Sequence, residues 1–236
     1  MKIGIFTDPH YCGADDLGLN RRPILSLGKA REAMEAFKSQ GVERVFCLGD
    51  LTDCAKGDTV DDTRNYLNTL LELIKSYGIP FSLVFGNHDF CGLTREDYKS
   101  LNIDTSPTVI EEKEQIFILL DANYRSNMEH FDKAGVQWDD SNLPPFQLDL
   151  LKSTLTSAEK PCVVMVHENL DPTVDGNHII KNHEEIRKII KESGKVKLVL
   201  QGHFHYGSEW QDGDVSYHTV KAMCLGFDNS FEILEI

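Results

Sequence analysis

The sequence predicts an α/β fold with two sheets, and three observations support this prediction. Six short apolar runs are rich in β-branched and aromatic residues, four stretches between them have helical periodicity, and the segment after residue 205 reads as β-structure. Continuous apolar runs of this length are typical of strands that are covered on both faces. Strands that alternate with helices, followed by a β-rich tail, are typical of an α/β protein with two sheets.

The predicted elements follow one another along the chain. The apolar runs that predict strands span residues 2–6, 45–48, 81–85, 116–120, 162–166 and 196–200. Apolar residues three and four positions apart predict helices within residues 27–37, 67–77, 148–155 and 186–190. Gly41 and Gly194 follow two of these helices, where glycine commonly ends a helix. Asp212-Gly213 predicts a hairpin turn, and residues 231–236 alternate as a closing strand.

The composition is that of a globular protein. Hydrophobic residues make up 41% and charged residues 26% of the 236 residues, and no apolar run is long enough for a transmembrane helix. The sequence has no internal repeat and no linker tract, so we expect one domain over residues 1–236. The apolar run at the start is too short for a signal peptide, which predicts a cytoplasmic protein with no membrane segment.

The formal net charge of −14 disfavours a nucleic-acid polymer as partner, because an acidic surface repels a polyphosphate backbone. A small anionic substrate is compatible with this charge if positive charge is concentrated locally, for example as bound metal. The six cysteines lie far apart and form no C-x-x-C pair, so neither a disulfide framework nor a zinc ribbon is predicted. The sequence leaves the oligomeric state open.

Residues of metal-ligating types follow all six apolar runs. They include five of the nine histidines, and the main positions are Asp8, His10, Asp50, Asn87, His88, Asp89, Asn123, His167, His203 and His205. Sites in open α/β sheets form outside the carboxyl ends of the strands, and Asp, Asn and His suit a borderline metal. Asp8 and His10 are two residues apart, so at a strand end they point to the same side. His203 and His205 repeat that spacing, and together these patterns predict a metal site.

The same motifs resemble those of the calcineurin-like metallophosphoesterases. In chain order they are Asp8-x-His10, Gly49-Asp50, Gly86-Asn87-His88-Asp89, His167 and Gly202-His203-x-His205. The resemblance spans residues 8–205, and the chain looks most like the small cyclic-nucleotide phosphodiesterases of that family. It implies a sandwich of two mixed β-sheets flanked by helices, in agreement with the α/β prediction.

The resemblance also implies a centre of two divalent metal ions. The implied ligands are Asp8, His10 and His205 for the first ion, Asn87, His167 and His203 for the second, and Asp50 as a bridge. His88 would protonate the leaving oxygen, and Asp89 would orient His88. Two such ions generate hydroxide at neutral pH and stabilise an in-line displacement. Mn, Fe, Zn and Co suit these mixed ligands about equally.

The implied reaction is hydrolysis of a small phosphodiester, such as a cyclic nucleotide, by a metal-bound hydroxide. A pyrophosphatase of the ADP-ribose type and a phosphomonoesterase stay open as alternatives, because the motifs define the reaction centre and not the leaving group. The acidic charge disfavours a DNA-repair nuclease, and the complete motif set disfavours a scaffold that has lost catalysis. Arg125 and Asn123, just after a strand end, are candidates for binding the substrate.

Overall fold

Eleven strands, six α-helices and three short 3₁₀ helices make up the secondary structure, and a computed structural model describes residues 1–236. The strands are β1 (Lys2–Phe6), β2 (Arg44–Cys47), β3 (Phe81–Leu83), β4 (Asp104–Thr105), β5 (Thr108–Glu111), β6 (Ile116–Leu119), β7 (Cys162–Met165), β8 (Val196–Gln201), β9 (Ser208–Asp212), β10 (Val215–Thr219) and β11 (Glu232–Glu235). The helices are α1 (Ser26–Ser39), α2 (Val60–Lys75), α3 (Arg95–Ser100), α4 (Phe131–Ala134), α5 (Pro145–Ser157) and α6 (His183–Ser193). Every strand predicted from an apolar run is present.

The strands form two mixed sheets. The first has five strands in the order β11-β1-β2-β3-β4, and all neighbours are parallel except β11 and β1. The second has six strands in the order β5-β6-β7-β8-β10-β9, with antiparallel pairing only at β5 and β9. The β9–β10 hairpin turns at the predicted position, where Asp212 pairs with Val215.

An apolar core between the sheets joins them into a sandwich. Phe46 of β2 and Phe117 of β6 are fully buried there, with ring centroids 4.8 Å apart. Alternate residues of the same strands face outwards, where α1 and α2 cover the first sheet and α5 and α6 cover the second. Burial on both faces explains why the strands are continuous apolar runs. The four layers confirm the predicted fold class of two mixed sheets flanked by helices.

Short elements at the edges of the sheets were not predicted from the sequence. β4 has two residues, β5 and α4 have four residues each, and such lengths carry little periodicity. β5 is also an edge strand whose residues are only partly buried or exposed. None of the six helices is both long enough and apolar enough to cross a membrane.

His218 of β10 connects the two sheets through a bond to Glu232 of β11. Its Nε2 lies 2.8 Å from Glu232 Oε2, and its Nδ1 lies 3.3 Å from Glu209 Oε1. The hydrogen bond to Glu232 raises the pKa of His218 above its ordinary value of 6.5, although burial acts to lower it. A histidine whose pKa is raised by folding stabilises the fold below its unfolded pKa, and this contribution is lost as the pH rises through the folded value.

We therefore expect His218→Gln to lower the free energy of unfolding by up to about 1 kcal/mol at about pH 5.5, and by less at about pH 9. Urea unfolding of the two proteins at both pH values measures this difference. His183→Gln at the start of α6 is the control. Burial lowers the pKa of His183, so we expect its replacement to cause no loss of stability that is larger at about pH 5.5 than at about pH 9. An equal effect of His218→Gln at both pH values would contradict the ion pair.

Candidate active site

The loops after β1, β2, β3, β7 and β8 meet at one edge of the sandwich, where the carboxyl ends of the parallel strands lie. Backbone hydrogen bonds connect them: Asp8 N donates to Gly49 O at 3.0 Å, and Gly202 N donates to His167 O at 2.9 Å. The structure brings the predicted site residues together at this edge: Asp8, His10, Asp50, Asn87, His88, His167, His203 and His205. We call these eight residues the cluster.

Four cluster residues have backbone conformations in the left-handed region. The φ angles are 51° for Asp8, 46° for His10, 55° for Asp50 and 65° for His203. Such a conformation costs a non-glycine residue energy and persists only where the surrounding structure determines it, which is typical of functional sites. All four side chains belong to the cluster, so the strained backbone positions coincide with the candidate site.

Close backbone approach is possible because glycines stand beside the strained residues. A Cβ atom on Gly86 would lie 2.2 Å from Asp50 Oδ1, and one on Gly49 would lie 2.4 Å from His167 Nδ1. Gly49 also has a φ angle of +112°, which side chains rarely adopt. Larger residues at either position would push the cluster apart.

Asp50 is a member of two groups of residues that could hold a metal ion. Its Oδ2 is 3.4 Å from His10 Nε2 and 3.3 Å from His167 Nε2. Within each group the ligand atoms lie within 4.8 Å of one another; the two groups that contain Asp50 are Asp8, His10 and Asp50, and Asp50, His167 and His203. Two further groups join His10 to Asp53 and His88, or to His205 and Cys224. His205 Nε2 adjoins the first group at 3.3 Å from Asp8 Oδ1. The Asp50 carboxylate is therefore shared by both groups.

Four buried polar atoms of the cluster make no hydrogen bond of good geometry: Asp8 Oδ1, Asn87 Oδ1, His167 Nε2 and His203 Nε2. Asp8 Oδ1 and His167 Nε2 each face an ion-pair partner at 3.3 Å, whereas the other two atoms face none. An unsatisfied buried polar group costs about 1–3 kcal/mol, so these atoms call for a ligand. His167 Nδ1 lies 2.7 Å from the Leu48 carbonyl and donates to it, which in the neutral ring leaves Nε2 free to bind. Carboxylate and amide oxygens with imidazole nitrogens fit divalent metal ions.

The buried groups of the cluster differ in protonation. Burial acts to lower the pKa of His167, but the charges of Asp50 and Asp8 raise it well above its ordinary value. Burial lowers the pKa of His203 well below its ordinary value, and the His167 charge lowers it further, so the His203 ring is neutral and keeps a lone pair. Glu168 is fully buried, and this burial raises its pKa to about 8. The neutral form of Glu168 therefore predominates at neutral pH, and the acid adds little negative charge beside the cluster.

Asp53 was not predicted as a site residue, yet it connects three functional side chains. Its Oδ1 lies 3.0 Å from His88 Nδ1, its Oδ2 lies 3.1 Å from His10 Nδ1, and Arg21 Nη1 donates to Oδ2 at 3.2 Å. Burial acts to raise the pKa of Asp53, but the bonds from both histidines hold it well below its usual range. The signal in the sequence is a second carboxylate three residues after Asp50 in the same loop.

The expectation that Asp89 orients His88 is wrong, because Asp53 occupies that position. The Asp89 carboxylate instead accepts the backbone N–H groups of Asp50, Leu51 and Gly86 at 2.9, 2.9 and 2.8 Å. Asp89 therefore fixes the loop that presents Asp50.

A cavity of about 510 Å³ opens onto the cluster. The cluster residues that line it are Asp50, Asn87, His88, His203 and His205, and the other lining residues are Leu19, Arg21, Trp138, His178, Phe204, Tyr206 and Leu225. The cavity thus combines metal-ligating groups, one arginine and several aromatic rings. A pocket of this size and composition is typical of a site for a small molecule.

Two predicted substrate residues lie outside this cavity. Asn123 is fully buried, and its Nδ2 donates to the Phe85 carbonyl at 3.1 Å. Arg125 points to a neighbouring loop, where Nη2 donates to the Gly135 carbonyl at 2.9 Å. Neither residue lines the cavity, so the structure does not bring them together with the cluster.

Comparisons with known proteins agree with the geometry. A family model of calcineurin-like phosphoesterases matches residues 1–207. The chain is 29% identical over 238 residues to the 3',5'-cyclic adenosine monophosphate phosphodiesterase CpdA of Haemophilus influenzae, covering 96% of this chain and 78% of that protein. It is 24% identical over 172 residues to a probable cyclic nucleotide phosphodiesterase of Psychrobacter arcticus, covering 67% of this chain and 57% of that protein.

Solved structures show the same fold. A dimetal phosphatase from Danio rerio superposes with a TM-score of 0.84 at 19% sequence identity, covering 98% of this chain and 91% of that chain. The protein TT1561 of Thermus thermophilus has a TM-score of 0.57 at 12% identity, covering 94% of this chain and 89% of that chain. The resemblance predicted from the motifs is confirmed, and the chain belongs to the calcineurin-like phosphoesterases as a metal-dependent phosphoric ester hydrolase.

Proposed function

We propose that this protein is a two-metal phosphodiesterase that hydrolyses a small phosphodiester, with a cyclic nucleotide as the leading substrate. The observation that carries the proposal is the Asp50 carboxylate, which belongs to both groups of ligand atoms and lines the same cavity as His88. The names of the two curated relatives support a diester substrate. The proposal includes one catalytic domain over residues 1–236.

Seven residues would hold the metal ions. They are Asp8, His10 and His205 for the first ion, Asn87, His167 and His203 for the second, and Asp50 for both. Two divalent ions of Mn, Fe, Zn or Co would lower the pKa of water towards neutrality and offset the negative charge of the substrate phosphate. Because Asp8 and Asp50 are the only carboxylates in this set, positive charge remains in the site although the whole chain carries −14.

His88 is the residue proposed to donate a proton to the leaving oxygen. Its side chain is 29% exposed and lines the cavity, and its Nδ1 is bound by Asp53. The ionised Asp53 stabilises the protonated ring, which leaves the proton on Nε2 as the one available to the substrate. General acids of this kind contribute about 10²–10⁴-fold to the rate.

We expect the protein, stripped of metal and reconstituted with Mn²⁺, to hydrolyse bis(p-nitrophenyl) phosphate with a kcat/KM about tenfold or more above that for p-nitrophenyl phosphate. The reason is that the proposed substrate is a diester. Release of p-nitrophenolate measures both rates. A preference for the monoester would contradict the proposal, and cleavage of ADP-ribose without cleavage of either compound would favour the pyrophosphatase alternative.

We expect His88→Ala to keep both metal ions and to lose about 10²–10⁴-fold in kcat, because His88 donates a proton and is not a ligand. Elemental analysis of the purified protein gives the metal content, and bis(p-nitrophenyl) phosphate gives the rate. His183→Ala, outside the cavity, is the control and should retain both. A His88→Ala protein without metal would show that the ligand assignment is wrong.

We expect Asp50→Asn to lose both metal ions together, because one carboxylate is assigned to both sites. Elemental analysis after dialysis measures the number of ions per chain. Asp61→Asn is the matched control, since the Asp61 side chain is 86% exposed on α2 and should keep both ions. Loss of only one ion from Asp50→Asn would contradict a shared ligand.

A further inference from the structure

We propose that Trp138 is the specificity-determining residue of this site and that it stacks on the heteroaromatic base of a nucleotide substrate. Trp138, His178, Phe204 and Tyr206 are the aromatic residues outside the cluster that line the cavity, and we call these four residues the aromatic wall. The inference rests on the proposed function and extends it by stating which part of the protein recognises the non-reacting part of the substrate.

The aromatic wall is a continuous series of rings that begins at the cluster. The ring centroids of His203 and His178 are 5.1 Å apart, and those of His178 and Trp138 are 5.4 Å apart. The ring centroids of His178 and Phe204 are 5.4 Å apart, and those of Phe204 and Tyr206 are 6.0 Å apart. A substrate whose phosphate lies at the cluster would therefore meet aromatic surface directly beside it.

Trp138 is open to the cavity although most large apolar side chains of the chain are buried. Its side chain is 43% exposed, and Tyr206 is 67% exposed. The other tryptophan, Trp210, packs instead against Tyr217, with ring centroids 5.0 Å apart, and beneath the Arg187 guanidinium at 5.1 Å. An exposed indole that lines a cavity beside a reaction centre offers a flat apolar face to a ligand.

The loop that carries Trp138 is fastened on both sides of it. The Arg125 guanidinium binds the Gly135 carbonyl at 2.9 Å, and the Asp140 carboxylate accepts the Ser126 backbone N–H at 3.0 Å. A residue held in this way loses little further freedom when a ligand binds. Arg125 thus helps to hold the Trp138 loop in position.

The aromatic wall suits a nucleobase. Every base has a π-face that stacks on aromatic side chains, and this contact is tolerant of base identity. The cavity of about 510 Å³ lies within the range of pockets that hold ligands of nucleotide size. The ligand chemistry that matches both ends of the cavity is a base joined to a phosphate, that is, a nucleotide.

The two tryptophans allow a direct binding test. In Trp210→Phe, Trp138 is the only indole, and we expect adenosine 5'-phosphate to quench its fluorescence in the Zn²⁺-loaded protein while ribose 5-phosphate does not. In Trp138→Phe, where only Trp210 remains, neither compound should change the fluorescence. Absence of quenching in Trp210→Phe, or equal quenching by ribose 5-phosphate, would overturn the proposal.

Rates on a matched pair of diesters separate this inference from the proposed function. Thymidine 5'-(p-nitrophenyl phosphate) and methyl p-nitrophenyl phosphate have the same leaving group, p-nitrophenolate. They differ in the second ester group, which is a nucleoside in the first compound and a methyl group in the second. We expect a higher kcat/KM for the thymidine compound, and we expect Trp138→Ala to reduce the ratio of the two values by about tenfold to a hundredfold, the range for one base–aromatic stack. Trp210→Phe is the control and should keep the ratio.

The possible failures are distinguishable. Cleavage of both diesters at equal kcat/KM by the native protein would overturn the role of Trp138 while leaving the phosphodiesterase intact. Cleavage of neither would contradict the proposed function, and the fluorescence test would still decide whether Trp138 binds a base.

Discussion

The Asp50 carboxylate occupies the position on which the rest of the site depends. Its Oδ1 accepts the backbone N–H of His88 at 2.7 Å, while its Oδ2 faces His10 on one side and His167 on the other. His167 comes from the second sheet and also binds the carbonyl of Leu48 in the first sheet. The same contacts that join the sheets at this edge therefore set the distance between the two groups of ligand atoms.

Maintaining Asp50 in this position requires support from residues that have no ligand role. The Asp89 carboxylate binds the Asp50 backbone N–H, and Gly86 leaves room for the Asp50 side chain. The backbone of Asp50 is in the left-handed region, so the loop is strained and depends on these contacts. The strand before this loop, β2, is buried against α1 and α2 on one face and against the second sheet on the other, which gives the loop a rigid base.

Charge is organised around the same carboxylate. Asp8 and Asp50 contribute negative charge to the proposed ligand set, whereas the Asn87 amide and neutral imidazole rings would contribute lone pairs without charge. Cations held by such a set would be only partly compensated, which would favour a phosphate in a protein of net charge −14. Asp53, one step further out, compensates the charge on protonated His88 and on Arg21.

Much of this arrangement could be predicted from the sequence, because the carboxyl ends of neighbouring parallel strands must meet and Asp8, Asn87 and His203 follow such strands. The carboxylate that reaches His88 could not be predicted, because Asp53 and Asp89 both stand near motif residues and only the path of the loops separates them. The proposed role of Trp138 also could not be predicted from the sequence, because Trp138 lies in a loop whose sequence has little periodicity. The short edge strands β4 and β5 could not be predicted either, because segments of two and four residues carry little periodicity.

The most direct test of the account is a crystal structure of the Mn²⁺-loaded protein with anomalous scattering recorded at the manganese edge. The account predicts two anomalous peaks in the cluster, with the Asp50 carboxylate bound to both. A single peak, or two peaks that do not share Asp50, would contradict it.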